Sequence, residues 1–370
     1  LTPKKFVRIF CLIICLFLTC HLVLYCFTRE SLALPEKLLK KSAVTGRHEP
    51  EKQVEVDTIG DLARLSYLYR LGTHRRVRDT SDEMGHLNKK YGENAAFPVV
   101  VAGDSFMLFN GDGRRFNNLL EDLLGVNCYN MAANGVEDPF TYLQSGSKKE
   151  ARVLVWESAE RNISAGVFDP GKVDYYYATA AKKLACAEDW ESKGAFQKQF
   201  RVINLANFKF LINNIAHSIG GKPLLGDTGI VRLDNGKELL FYKNDLYSFQ
   251  RPDLAEDLRQ STAFITHVDR ELKKRGVTLV FLAVPDKYNA YYDRIAGKEK
   301  LTGDARFIDQ LTEELKKNGV IAVNLLNMFR AELAKGNELY HFDDTHWNTE
   351  GAALAAGLVA EEIKKRGLLD

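Results

Sequence analysis

Two short clusters, far apart in the chain, hold the residue types that nucleophilic acyl chemistry needs. The first is Gly103-Asp104-Ser105-Phe106, directly after an apolar β-branched run. A serine hydroxyl is a weak nucleophile until a base removes its proton, and alone the cluster is more often a strand-ending turn and helix cap. The second is Asp343-Asp344-Thr345-His346-Trp347-Asn348, near the C-terminus. His346 supplies a base, and either Asp343 or Asp344 could reach its Nδ1 to fix tautomer and charge. The pair implies that Ser105, His346 and one of these carboxylates converge. Ser105 Oγ is then expected within hydrogen-bond reach of His346, with one of the two aspartates on the imidazole and the other off it.

Weaker candidates follow the other apolar runs. Gly135 could bring its backbone N–H close to a reacting carbonyl, joining the Ser105 N–H in an oxyanion hole. Arg161 and Lys287 could bind a polar substrate, as could Trp347. Gly135 reads equally well as an ordinary turn glycine, and Arg161 and Lys287 are each, taken alone, more often surface charges. The sequence offers no C-x-x-C pair and no metal-ligand spacing, so no metal and no cofactor are expected.

Something must bring residues 105 and 346 together. Five β-branched apolar runs stand out: 97–103 (FPVVVAG), 126–132, 152–158, 277–284 and 319–325. Such runs suit strands buried on both faces. Between them, residues 115–124, 254–275, 305–317 and 351–366 carry apolar side chains at helical spacing. Strands alternating with helices imply right-handed βαβ units. The expected fold is α/β: a three-layer α/β/α domain over residues 96–370 with a parallel sheet of about five strands. In such sheets ligands bind beyond the carboxyl ends of the strands, where all of these candidates fall. An insertion at 162–250 interrupts the pattern. Within it Asn235-Gly236 between two apolar runs predicts a hairpin near 229–243.

The N-terminus differs. After Lys4 and Lys5 the run FVRIFCLIICLFLTCHLVLYCF is interrupted only by Arg8 and His21. A bilayer core needs about 20 such residues, more than the apolar region of a cleaved signal peptide usually supplies. The expectation is a retained membrane anchor over 1–28, with the N-terminus cytoplasmic and the rest outside. Residues 29–95 read as a stalk and membrane-proximal segment, and the basic THRRVR stretch in it as a solvated face. A net charge of +2 on 370 residues carries no nucleic-acid footprint. Four of the six cysteines lie in the anchor; Cys128 and Cys186 are left to pair or to stay as buried thiols.

These residues resemble the SGNH (GDSL-like) hydrolase superfamily: Gly103-Asp104-Ser105 its first block, Gly135 its second, the Asp-Asp-Thr-His run its last. The Gly-x-Asn-Asp block is replaced by Trp156-Glu157-Ser158. The finer resemblance is to the AlgX/AlgJ-type polysaccharide O-acetyltransferases, through Gly-Asp-Ser-Phe at 103–106, Asp-Thr-His-Trp at 344–347, Trp156-Glu157 with Arg161 after it, and Val284-Pro285-Asp286-Lys287 with a tyrosine after it. The serine block stands first here, whereas in the alginate proteins the histidine block does. The resemblance favours Asp344 over Asp343 as the acid. It implies a serine acyl-enzyme on a bacterial inner membrane, facing the periplasm or cell surface. Its substrate would be a polysaccharide, with acetyl groups supplied by a polytopic membrane acyltransferase. An SGNH carbohydrate esterase, with water as acceptor, and a non-catalytic subunit of a polysaccharide modification or export complex are the alternatives.

Overall fold

The computed structural model describes residues 2–32, 47–92, 94–108, 114–133, 135–145, 151–185, 205–297, 303 and 306–370. The chain opens with helix α1 (Pro3–Leu32), followed by β1 (Gln53–Thr58), α2 (Asp61–Leu65) and β2 (Arg75–Thr80). Then come β3 (Val99–Ala102), α3 (Ser105–Leu108), α4 (Phe116–Leu124), β4 (Cys128–Asn130), α5 (Asp138–Ser145), β5 (Val153–Ala159) and α6 (Val173–Ala185). The insertion holds α7 (Leu205–Gly220), β6 (Thr228–Arg232), β7 (Glu238–Tyr242) and α8 (Asn244–Phe249). The chain closes through α9 (Leu254–Lys273), β8 (Thr278–Val284), α10 (Lys287–Ala290), α11 (Phe307–Lys317), β9 (Ile321–Asn324), α12 (Leu326–Ala334) and α13 (Thr349–Lys365).

All five expected runs become strands of one parallel sheet, in the order β4-β3-β5-β8-β9. Alternate residues on each strand face opposite helix layers, as the period of two requires. Val99, Val101, Val153, Val155, Val280 and Leu282 join α4, α12 and α13 in one core. Val100, Ala102, Leu154, Trp156, Leu279 and Phe281 join α5, α6, α9 and α11 in the other. Both faces are buried, which is why these strands read as unbroken apolar runs. The packing of α13 on α4 is close because α13 presents Ala352, Ala355 and Ala356, all buried.

The order also fixes where a site must lie. The chain leaves β3 toward β4 on one side and returns past it to β5 on the other, so the connections diverge between β3 and β5. That divergence opens a crevice at the carboxyl ends of these two strands, and Ser105 is the third residue beyond β3.

The inserted hairpin forms: β6 and β7 pair antiparallel, through a turn from Leu233 to Gly236 in which Gly236, at φ +80°, takes the left-handed conformation and Asn235 does not. Residues 47–92 differ from the stalk reading. The strands β1 and β2 form an antiparallel hairpin, and the chain between them lies against the C-terminal loop that carries His346. Gly60 and Thr73 donate their N–H groups to Asp343 Oδ2 at 2.8 and 2.7 Å, and Ala63 N–H donates to the Asp343 carbonyl at 3.2 Å. Helix α1 is apolar from Pro3 to Val23 and exposed along that length, long enough to cross a membrane by length and composition. Cys128 is a buried free thiol; Cys186 lies outside the described residues.

Candidate active site

The Gly103-Asp104-Ser105 turn is held from three sides. Gly103 has φ +152°, and a Cβ there would sit 2.5 Å from Glu157 Oε2, so only glycine fits where β3 ends against β5. Its N–H donates to Asp138 Oδ2 at 3.2 Å, an oxygen that also accepts from Ala133 N–H at 2.9 Å and so ties the β4 loop to the turn. The Asp104 carboxylate accepts from Phe106 N–H at 3.1 Å, Ala159 N–H at 3.0 Å and Asn162 Nδ2 at 2.7 Å. Asp104 thus caps α3 and staples it to the end of β5. Ser105 projects from this framework into solvent as the first residue of α3.

Ser105 Oγ and His346 Nε2 are 2.8 Å apart, across 241 positions of sequence. His346 Nδ1 lies 2.6 Å from Asp344 Oδ1, which also accepts the His346 backbone N–H at 3.1 Å. Asp344 Oδ2 accepts from Arg75 at 3.3 Å and from Asp61 N–H at 3.2 Å. Asp343 points elsewhere: besides Gly60 and Thr73 it faces the Arg75 guanidinium at 3.1 Å. The two adjacent carboxylates have separate tasks, one on the imidazole and one on the N-terminal segment.

The electrostatics follow from these contacts. Burial alone would lower the His346 pKa, but the Asp344 charge and hydrogen bond, with Asp61 behind them, raise it above its ordinary value. Burial would raise the Asp344 pKa, yet His346 and Arg75 hold its carboxyl well below the usual carboxylate range. Burial and the Asp344 charge push Asp61 up. Asp61 accepts Thr345 N–H at 2.7 Å and the Thr345 hydroxyl at 2.6 Å, and lies 3.8 Å from His346 Nδ1. Asp61, Asp344 and His346 are close enough to hold a metal ion. Their donor atoms are instead matched to one another, to Thr345 and to Arg75, whose positive charge disfavours a cation there.

Two of the side chains expected to face a substrate, Lys287 and Trp347, do not, while Arg161 stays partly exposed beside Phe106. Lys287 is buried and donates to the carbonyls of His341, Phe342 and Asp344 at 2.5, 2.8 and 3.1 Å. Burial lowers its pKa to about 8, against the pull of Asp344 and Asp61. It anchors the loop that presents His346. Trp347 is 1% exposed, packed edge-on to Phe106 and stacked on Phe116. Arg161 is bound by two buried acids, Asp286 at 2.7 Å and Asp245 at 3.7 Å, which outweigh burial and raise its pKa. Its guanidinium lies over the Phe106 ring, and that ring lies against His346. Gly135 does not offer a free donor: its N–H donates to the Gly103 carbonyl at 3.0 Å. Its φ of +77° accounts for the glycine. Ser105 N–H is the expected oxyanion donor left in place.

Two positioning groups carried no local sequence signal: Arg75 and Asp61 come from the segment read as a stalk. Glu157, noted only as part of the resemblance, stands where the resembled superfamily has its Gly-x-Asn-Asp block. Glu157 is fully buried and accepts Asp104 N–H at 2.9 Å, while its Oε1 has no partner among the described residues. Burial and the Asp104 charge push its carboxyl well above the ordinary range. Its stabilising contribution is therefore full below the unfolded-state pKa and lost as pH rises through the raised folded value. Glu157→Gln keeps the shape and the neutral form, so activity should stay near wild type and the alkaline loss of stability should flatten. Glu157→Ala should cost about 2–4 kcal/mol in denaturant unfolding, since it leaves a cavity and an unsatisfied N–H. Lys287→Met should cost about 2–3 kcal/mol, because the carbonyls of His341, Phe342 and Asp344, the last of them buried, lose their charged donor. It should also lower kcat more than it raises KM as His346 loses its position.

A parallel five-stranded α/β/α sheet, with a serine at the first crossover and a histidine just before the last helix, defines an SGNH-like domain. Residues 237–370 match the family described as an SGNH hydrolase-like domain, acetyltransferase AlgX. The chain carries such a domain of the AlgX/AlgJ type. The probable alginate O-acetylase AlgJ of Pseudomonas aeruginosa is 27% identical over 122 residues, 33% of this chain and 31% of that protein. The probable alginate O-acetylase AlgJ of Pseudomonas syringae pv. tomato is 30% identical over 108 residues, 29% of this chain and 27% of that one. The matched stretch therefore spans about a third of the relatives' own length. A solved Bacillus subtilis protein overlays on 87% of this chain and 77% of its own at 10% identity, with a TM-score of 0.38, too slight a likeness to bear on fold or function.

Proposed function

We propose that the protein is an O-acetyltransferase that carries the acetyl group on Ser105 and passes it to a hydroxyl of an extracytoplasmic polysaccharide. The observation that carries this reading is the exposed Ser105 hydroxyl 2.8 Å from His346 Nε2, with Asp344 on Nδ1, in a domain of the AlgX/AlgJ type. His346 takes the Ser105 proton as Oγ attacks the acetyl carbonyl, and the Ser105 N–H faces the developing oxyanion. The tetrahedral adduct collapses, the donor's leaving group departs with that proton, and an acetyl ester remains on Ser105. His346 then takes the proton of a sugar hydroxyl, which attacks the ester. The proton returns to Ser105 Oγ as acetylated sugar leaves.

Helix α1 fits this role as an anchor, with the domain on the outer side of a bacterial inner membrane. A polytopic acyltransferase would be the acetyl source there. The domain division read from sequence holds in this proposal only with residues 47–95 assigned to the catalytic unit, since Gly60, Asp61, Thr73 and Arg75 bind its last loop.

The same acyl-enzyme would serve an esterase, and acceptor competition separates the two. With an activated acetyl ester as donor, adding oligosaccharide should yield acetylated sugar at the expense of free acetate. Unchanged acetate release with no acetylated sugar would assign the protein as an esterase. If neither product forms and a Ser105→Ala strain still makes fully acetylated polymer, the chain is a non-catalytic subunit.

A further inference from the structure

Helix α7 is amphipathic in an unusual direction. Its inner face is locked to the domain: Phe210 stacks on Tyr69 at 5.4 Å between ring centroids, and Asn213 Nδ2 donates to the Ser66 and Leu225 carbonyls at 2.6 and 2.8 Å. Asn213 Oδ1 accepts from the N–H groups of Leu224 and Leu225 at 3.1 and 2.8 Å, so both hydrogen-bonding ends of the amide are used. The opposite face carries Phe208, Ile212, Ile215 and Ile219, spaced four, three and four apart and therefore in one narrow stripe. All four are exposed, Ile219 by 84%, and Leu224 beyond the helix is exposed by 71%. Leu65, also exposed, continues the patch, since its carbonyl lies directly against Gly226. A contiguous apolar stripe of this kind on a helix of fixed rotation marks a surface meant to be covered.

The cover is indicated by what adjoins it. Helix α7 packs against α1, the helix long and apolar enough to span a membrane, and the stripe stays exposed with α1 in place. We propose that α7 lies in the bilayer interface beside the anchor. Its stripe is immersed to a depth of about 5–10 Å, so the domain is held to the membrane at two points and cannot swing freely on α1. Lys209, which reaches across the Tyr67 ring, and the exposed Lys222 and Arg64 flank the stripe in sequence and in the neighbouring loop. They suit anionic headgroups. This placement rests on the reading of α1 as a membrane anchor.

Tryptophan placed in the stripe measures it. The full chain is inserted into vesicles of phosphatidylcholine and phosphatidylglycerol carrying bromine either near the headgroup end of the acyl chain or near its terminal methyl. Ile215→Trp and Ile219→Trp are compared with Phe10→Trp in α1 and with Glu361→Trp on the exposed side of α13. The expected result is loss of Ile215→Trp and Ile219→Trp emission with the shallow bromine and little loss with the deep one. Phe10→Trp should lose emission to the deep bromine, and Glu361→Trp to neither. If Phe10→Trp is quenched by bromine while the α7 tryptophans are quenched only by aqueous iodide, the anchor stands and the interfacial helix is wrong. If the α7 tryptophans are shielded from both bromine and iodide, a protein covers the stripe and the bilayer proposal is overturned. If no position is quenched by bromine, the anchor reading itself fails and the placement of α7 with it.

Discussion

Ser105→Ala should lower acetyl transfer by about 10⁴-fold or more, and hydrolysis of a small activated ester by the same factor. Both reactions pass through one acyl-enzyme, so losing the only oxygen that carries the acetyl group must affect them together. His346→Ala should be of similar severity, because its Nε2 is the sole imidazole atom on Ser105 Oγ. The double variant should be little worse than either single one. Residues that act as a unit are not additive, and whatever turnover remains comes from binding and the oxyanion donor alone. Ser105→Ala should not move the unfolding midpoint much, since Ser105 is exposed and the fold around it is fixed by Asp104 and Asp138. A Ser105→Ala protein that loses transfer while keeping ester hydrolysis would place the nucleophile elsewhere.

The second large effect belongs to Asp344. Asp344→Asn should lower kcat by about 10²–10⁴-fold, because the imidazole loses the partner that fixes its tautomer and stabilises its positive charge. The pH profile carries a sign that a loss of folding would not. His346 must be neutral to act as base, so activity falls as pH drops through its pKa. Burial lowers that pKa and Asp344 raises it, with a net rise. Removing the Asp344 charge leaves burial to act, and the acid limb of the rate profile should move to lower pH. Asp61, 3.8 Å from Nδ1, retains part of the raising effect, so Asp61→Asn added to Asp344→Asn should move the limb further. Asp343→Asn is the contrasting case. Its carboxylate holds Gly60, Thr73 and Arg75, so it should reduce stability and leave the limb in place.

The parts of this molecule that were legible in its sequence are those set by local physics. Runs such as 277–284 announce themselves because a strand covered on both faces has no polar position to spare. The hairpin at Asn235-Gly236 is equally plain, since its loop needs a left-handed residue and Gly236 supplies it. Ser105 and His346 stood out because each follows a strand or precedes a helix at the sheet's carboxyl edge. What was not legible depends on distant pairing. Nothing local separates Arg75 from the other basic residues of THRRVR, and its meaning comes from Asp343 and Asp344 some 270 residues away. Lys287 was misread for a related reason. A charge beside a site looks the same whether it faces substrate or is used up on the carbonyls of a neighbouring loop. Gly135 shows the limit for glycine: close approach to a ligand and a turn with positive φ call for the same residue.

The central claim is that acetyl resides on Ser105, and trapping it is the direct test. The full chain is mixed with an activated acetyl ester, quenched in acid within a turnover and digested, and the peptide containing Ser105 is weighed and fragmented. The account predicts one acetyl group as an ester on Ser105. It should be absent from Ser105→Ala and should decay faster when an oligosaccharide acceptor is added before quenching. Acetylated sugar formed at the normal rate with no acetyl on that serine, or with acetyl on another residue, would contradict it.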